Sequence, residues 1–223
     1  LSLHYALPIS VNGGLVSFVR APSIVVTLAT MVAWREMLNW ATGGAWVENL
    51  PSNFQWFGLG QRGGETLIFF TAALVFGLLW WASSNISAFR AIYATGSDAE
   101  AARLAGIPTK NVVFAVFILV GALTGLGAAL NEVRFSDVPV NAGSGLELKA
   151  IAAVVIGGTP ITGGRGRLGG TLIGVILLAS IGPALTYMGF SPYWEKAIQG
   201  GIILLTVFFD AIASRAERRT ALA

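Results

Sequence analysis

Few residues in this chain could do covalent or acid–base chemistry. Its 223 residues include one histidine, His4, and no cysteine. Cysteine nucleophiles, disulfides and thiolate zinc sites are excluded. One imidazole cannot build a His-based metal centre, and at position 4 it offers no partner for a Ser-His-Asp set. Two other patterns invite a chemical reading. Glu100 and Arg103 stand three apart in a run of helix formers, a spacing that lets them pair on one helix face. Gly164-x-Gly166-x-x-Gly169 fits a dinucleotide fingerprint, which needs an acidic residue about 20 positions on to hold the ribose. Glu147 lies upstream and the next acid is Glu195, so that reading fails. No phosphate-cradling Walker run is present. The chain is therefore expected to have no catalytic residue, no metal site and no cofactor of its own.

The elements that position these residues are apolar. Hydrophobic residues make up 55% of the chain and charged ones 11%, against about 25% in ordinary soluble domains. Twenty-five charged side chains cannot cover a globule of this size, and disorder requires the opposite composition. A net charge of +3 is too small to argue for nucleic-acid binding. A membrane-crossing helix needs about 20 mainly apolar residues. Residues 67–84, 111–131 and 168–194 carry no charge, the last with Gly182-Pro183 inside it. Residues 21–34 and 197–209 are shorter runs between charges, and 150–164 is apolar but rich in glycine. The expected fold is all-α, a polytopic transmembrane bundle with about six apolar segments, some short or broken. Buried helices of a large soluble enzyme are the alternative, but several runs here are apolar on every side.

Charge distribution orients the segments. Short cytoplasmic loops collect Lys and Arg. Residues 85–110 hold Arg90, Arg103 and Lys110, residues 165–167 hold two arginines, and the tail holds Arg215, Arg218 and Arg219. The alternate connections, 35–66, 132–149 and 188–196, are poorer in basic residues. The basic set is expected in the cytoplasm. The seven tryptophans (34, 40, 46, 56, 80, 81 and 194) fall near segment ends, as interface anchors do. Residues 35–66 read as an ordered external or partly embedded loop, since Gly43-Gly44 and Pro51 argue against one helix.

The loop RAIYATGSDAEAARLAGIPTKNVV, starting at Arg90, predicts a short helix beginning near Ala99. Ser97 and Asp98 are cap candidates, and Gly106 with Pro108 stops it. A two-turn helix standing alone between spans cannot hold itself together in water. Either it packs on its own bundle or it inserts into a cytoplasmic partner. Downstream, Gly157-Gly158, Pro160 and Gly163-Gly164 interrupt a helix, and irregular backbone at membrane depth must be covered by protein or line a cavity. Gly170-x-x-x-Gly174 and Gly121-x-x-x-Gly125 let helices approach closely. Pure packing without a pathway role is the alternative.

These stretches resemble a known family. YATGSDAEAARLAGI (93–107) is similar to the cytoplasmic loop of permease subunits of bacterial ATP-binding-cassette importers for simple sugars, the ribose, xylose, rhamnose and autoinducer-2 group. NAGSGLELKAIAAVVIGGTPITGGRGRLGGTLIGV (141–175) resembles that group's signature region, and 11–31 and 194–211 resemble flanking spans. The resemblance implies a transporter subunit rather than an enzyme, in the bacterial inner membrane as a multi-pass protein. It implies contact with membrane lipid, a second permease subunit (homo- or heterodimer), a separate cytoplasmic ATPase and a periplasmic or extracellular sugar-binding protein. Carried over by position, Asp98, Glu100, Ala101, Ala102, Arg103 and Gly106 fall on the coupling loop. Gly157, Gly158, Gly163, Gly164, Gly166, Gly169, Gly170 and Gly174 fall on the glycine-rich match. The resemblance covers roughly 11–212, leaving 1–10 unmatched and 213–223 as a cytoplasmic tail. Relatives are longer at the N-terminus, which implies a truncated permease.

The stretch WVENLPSNFQWFGLG resembles rhamnose-type permeases. An intramembrane enzyme would need paired ionisable residues inside spans, where they are costly and functional by default. The three long runs have none, which favours a neutral, hydroxyl-rich substrate. Permeases for nucleosides, autoinducer 2 or branched-chain amino acids remain alternatives, although an α-carboxylate would favour a cation in the path. Thr159, Thr162, Gln199 and Asn141 are candidates to hydrogen-bond a sugar.

Overall fold

The uncharged runs 67–84 and 111–131 grow into helices longer than themselves, because the flanking residues continue the helix, whereas 168–194 stays helical only to Tyr187. In the computed structural model, residues 2–19, 21–46, 48, 51, 54–139, 142–160, 163–191, 194–202, 204 and 208 are described, with side chains from Ile9 onward. The helices are α1 (Ser2–Ser17), α2 (Ser23–Thr42), α3 (Gly60–Asn85), α4 (Ser87–Ser97), α5 (Ala99–Leu104), α6 (Thr109–Glu132), α7 (Leu146–Ile156) and α8 (Leu168–Tyr187). Residues 194–202, with 204 and 208, form the described part of a further helix, α9. No strand occurs among the described residues.

Of the six apolar segments expected, three become, among the described residues, helices long and apolar enough to cross a membrane: α3, α6 and α8. The run 21–34 does not end at Arg35. It continues through Glu36 to Thr42, where Gly43 turns left-handed (φ 62°) and its N–H returns to the Asn39 and Trp40 carbonyls. With α3 starting at Gly60, the long external loop expected over 35–66 shrinks to residues 43–59. Trp34 therefore sits inside α2 rather than at a segment end. α7 has 11 residues, about 16 Å of helix, too short to span unaided. α8 runs straight through Gly182-Pro183.

The chain divides into two compact units, Leu1–Thr95 with Ala99–Ala142, and Gly96–Asp98 with Gly143–Ala223. In the first unit α1 lies antiparallel along α6. A methyl group at Gly13 would meet Phe114 at 3.0 Å and Phe117 at 3.1 Å, and one at Gly121 would strike Ile9. Each helix thus lends a glycine to the other's side chain. Gly125 has open space around it, so only half of the Gly121-x-x-x-Gly125 pattern is used. Ahead of α3, residues 55–58 make a tight turn with Trp56 (φ 51°) and Phe57 (φ 56°) left-handed, a conformation strained for bulky residues. Two contacts hold it. The Trp56 N–H donates to the Val133 carbonyl at 2.8 Å, and the Trp56 ring lies where Gly64 has no side chain, 2.7 Å from a methyl placed there. Trp56 is thus a packing residue.

The second unit is an antiparallel α7–α8 hairpin with α9 against it. Ala152, Ala153 and Leu178 are buried at its centre, with Ile156, Ile181 and Ile202 packed around them. Its axis is backbone against backbone. Gly170 faces the Gly157 carbonyl and Gly174 the Ala153 carbonyl, each leaving no room for a Cβ. Both glycines of Gly170-x-x-x-Gly174 are therefore used. Gly174→Ala must spread the hairpin and should cost about 1–3 kcal/mol. Gly77→Ala, in α3 with nothing nearby, should be neutral or slightly stabilising, since alanine is the better helix former. Thermal unfolding of the purified protein in detergent checks this, and equal effects at the two sites would refute the packing account.

Candidate functional site

The loop helix is present where the sequence places it, but not alone. α4 (Ser87–Ser97) runs directly into it, and Asp98 is the single non-helical residue between them. Ser97 is therefore the end of α4, leaving Asp98 in the cap position of α5. The stop is a closed glycine motif. The Gly106 N–H donates to Arg103, the Ile107 N–H to Ala102, each at 3.0 Å, and Gly106 is left-handed (φ 84°), the geometry by which glycine ends a helix. Pro108 then leads into α6.

On α5, Ala102 faces inward and is 4% exposed. The rest of the helix faces water. Arg103 grips the Glu100 carboxylate twice, Nη2 to Oε1 at 2.5 Å and Nε to Oε2 at 3.1 Å. The Glu100 hydrogen bond, then its charge, hold the Arg103 guanidinium above its ordinary pKa. Both side chains stay 60% or more exposed, so solvent screening leaves the pair a minor contributor to stability. Beside it Leu104 is 77% exposed. An apolar side chain on an exposed two-turn helix is a feature that charge-based reading passed over. A cleft of about 590 Å³ opens at the base of α5, lined by Ser17, Thr95, Glu100, Arg103, Lys110 and Asn111 among others. The Thr95 Oγ1 is buried in its wall without a hydrogen-bond partner.

The glycine-rich candidates form a second assembly. The Gly157 N–H closes α7 on Ala153 at 3.0 Å, and Gly158 (φ 83°) turns the chain away. Gly157 and Gly170 face each other across the hairpin, with Gly174 one turn on, while Gly169 stands in the first turn of α8. Gly166 lies against Thr159, whose Oγ1 would be 2.7 Å from a methyl there. Gly163 (φ 83°) and Gly164 (φ 77°) are both left-handed and press on Gly96 and Ser97, at the end of α4. Thr162 and Asn141 fall outside the described residues, as does the tail 213–223.

Sequence reading did not find the polar cluster at the other end of the hairpin. The Lys149 Nζ on α7 donates to the Glu195 Oε1 at 2.7 Å, and Gln199 donates to the same oxygen at 3.0 Å. Gln199, a candidate sugar contact, is 4% exposed and donates to Glu195. No local pattern links residues 46 apart. Among the described residues there is no group of three or more acidic, His or Cys side chains able to hold a metal.

The family described as branched-chain amino acid transport system / permease component matches residues 8–207. The chain belongs to this permease family. The match begins three residues inside the stretch 1–10. The ribose import permease protein RbsC of Bacillus subtilis is 35% identical over 201 residues, 89% of this chain and 62% of that protein. Its counterpart in Escherichia coli K12 is 34% identical over 206 residues, 90% and 64% of the two chains. The autoinducer 2 import system permease protein LsrC of Yersinia pseudotuberculosis is 32% identical over 199 residues, 89% and 57%. This permease-family chain thus spans about three fifths of the length of these relatives, and the resemblance at 93–107 and 141–175 points to the same group. No solved structure matches it.

Glu195 gives this unit an acid-sensitive contact. It lies ahead of the last apolar run, and the Lys149 hydrogen bond, aided by the Lys149 and Lys196 charges, holds its carboxyl below the usual value against a smaller effect of burial. A depressed carboxylate stabilises the fold at pH above its unfolded pKa, and the gain is lost as pH falls through the folded value. Glu195→Gln should be less stable near neutral pH. Its melting temperature in detergent should fall less than the wild type's as the solution is taken below about pH 4.5. Parallel melting curves for the two proteins across that range would contradict this.

Proposed function

We propose that the chain is the membrane-spanning permease subunit of an ATP-binding-cassette importer that carries a simple sugar, ribose- or rhamnose-like, across the bacterial inner membrane. One observation carries the coupling part of this reading. A short helix held between two membrane-length helices, α3 and α6, shows Leu104 and the Glu100–Arg103 pair to solvent over an open cleft. A helix of 6 residues has no independent stability and must pack on something, and its outward side chains suit a partner. Leu104 supplies apolar area, and Glu100 and Arg103 supply paired charge.

In this reading ATP is hydrolysed by a separate cytoplasmic ATPase that clasps α5. Closure of the ATPase displaces α5, and the displacement passes to the helices that line the substrate path. A secreted sugar-binding protein delivers substrate on the outer side, and a second permease subunit completes the path. The long apolar runs 67–84, 111–131 and 168–187 contain no ionisable side chain, which suits a neutral polyhydroxylated cargo. The sugar permeases of Bacillus subtilis and Escherichia coli support it. Autoinducer 2 is the second reading, favoured by the Yersinia relative.

Glu100→Arg places two like charges at this spacing. Membrane insertion and permease levels should stay near normal, because the pair is exposed. Association with the ATPase should weaken by on the order of 30-fold, the scale expected when one partner of a desolvated charge pair is removed, and sugar uptake should be lost. Pull-down and uptake in the same cells, with the permease at its full natural length, decide this. Unchanged association and full uptake would dismiss α5 as a coupling helix. Sidedness has its own check. A single cysteine at Ser97 should resist an impermeant thiol reagent in intact cells, whereas one at Ser136, after α6, should react. Reaction at Ser97 alone would invert the topology.

A further inference from the structure

One half of a glycine pair in the first unit is left unused by packing. Gly121 receives Ile9 from α1, but Gly125, one turn on, has nothing within 4 Å. The space it leaves is part of a cavity of about 250 Å³ between α1, α2 and α6. Along α6 the cavity runs from Phe117 to Ala128, within a helix long enough to cross a membrane. All three helices belong to one compact unit. One wall is fixed by the α1–α6 contact, since Phe117 stands 3.1 Å from where a methyl at Gly13 would lie.

The polar groups around this cavity suit one kind of ligand. No charged side chain lines it among the described residues. Asn12 lines it from α1, and its Oδ1 is buried without a hydrogen-bond partner. An unmet amide oxygen is a cost that a ligand's donor removes. Thr27 and Thr124 line it from α2 and α6, and each hydroxyl already donates to the carbonyl one turn back, Ser23 and Val120, at 2.8 Å. A hydroxyl has one proton, so these two have only acceptor capacity left. Three acceptors in an uncharged, mostly apolar wall fit the hydroxyl groups of a neutral molecule. A lipid acyl chain brings no donor and leaves Asn12 unmet, and an anion brings only further acceptors. Phe117 and Val120 supply apolar surface for the C–H face of a ring. The volume lies below the roughly 300–1,000 Å³ of drug-sized sites and suits a single sugar ring.

Resting on the permease reading above, we propose that this cavity holds the sugar in transit, with Asn12 accepting a hydrogen bond from a sugar hydroxyl and Gly125 keeping room for the ring. The experiment uses the full-length permease with its ATPase and sugar-binding protein in proteoliposomes, and radiolabelled ribose and rhamnose as probes. Gly125→Leu fills the cavity and should abolish uptake with the permease level unchanged. Gly127→Leu should keep wild-type uptake, since Gly127 is equally open but does not line the cavity. Equal uptake in the two variants overturns the site. Wild-type protein that carries neither sugar overturns the sugar reading itself, whereas wild-type transport with unaffected Gly125→Leu overturns the cavity alone.

A second measurement does not depend on how Gly125→Leu folds. The chain has no cysteine. Thr124→Cys should react with a small charged thiosulfonate, because a path for sugar is wet, and the transported sugar should slow the reaction. Ala122→Cys, on the same helix and outside the cavity, should show no such protection. Asn12→Leu, close to asparagine in size, should raise the sugar concentration for half protection by about tenfold, the loss of one hydrogen bond to the ligand. No reaction at Thr124→Cys, or a rate that the sugar leaves unchanged, overturns the proposal. Unchanged protection in Asn12→Leu overturns the role of Asn12.

Discussion

Inside hydrocarbon there is no water to receive a peptide group, so every backbone N–H and C=O must find its partner within the protein. The architecture follows from that requirement. Long runs satisfy it as continuous helices, α3, α6 and α8. Wherever a helix stops, the loose groups are closed locally. α2 ends on Gly43, α5 on Gly106 and α7 on Gly157–Gly158, and each stop returns N–H groups to carbonyls of the last turn. Pro183 lies within α8 although it removes one donor and its ring crowds the carbonyl one turn earlier. The stops are where the candidate functional residues stand, since only there does the chain leave its regular ladder and present backbone or short helices to something else.

The same requirement explains the use of glycine. Lipid tails are as apolar as the helices, so burial alone does not drive helices together, and close packing must. In the α7–α8 hairpin, Gly170 and Gly174 bring one backbone against the carbonyls of the other, and Ala152 and Ala153 fill the remaining gap. At the α1–α6 pair the exchange is different. Glycine on one helix receives a bulky side chain from the other, Phe114 and Phe117 over Gly13, Ile9 over Gly121. The first arrangement is rigid because backbone meets backbone. The second can adjust because side chains can change rotamer.

Much of this was legible in the sequence, for physical reasons. Uncharged runs and glycine–proline stops are local features, so α3, α6, α8 and the span of α5 from Ala99 to Leu104 could be read directly. The end of α2 was misread because charge was taken as a boundary. Arg35 and Glu36 are good helix formers, and nothing before Gly43 breaks the ladder. α4 was missed because its apolar and polar residues alternate at helical spacing within a loop that looked merely basic. The Lys149–Glu195–Gln199 cluster was beyond reach. It joins residues far apart in the chain, and each of them alone looks like an ordinary interfacial polar group.

Glycine in the turn 157–170 therefore reads differently from glycine in a nucleotide loop, although the spacing is alike. In a phosphate site glycines clear space so that backbone N–H groups can point at an anion. Here the cleared space at three of these glycines is already filled. Gly157 is filled by the Gly170–Thr171 backbone, Gly164 by Ser97, and Gly166 by the Thr159 side chain. With the space occupied by the chain itself, the glycines serve protein-to-protein contact. The nearest neighbour they hold, residues 96–98, is also the piece that leads into α5. Sequence spacing alone could not separate the two uses, because both need a missing Cβ. What separates them is whether the space left by the Cβ is empty or filled, and that is visible only once the segments are folded together.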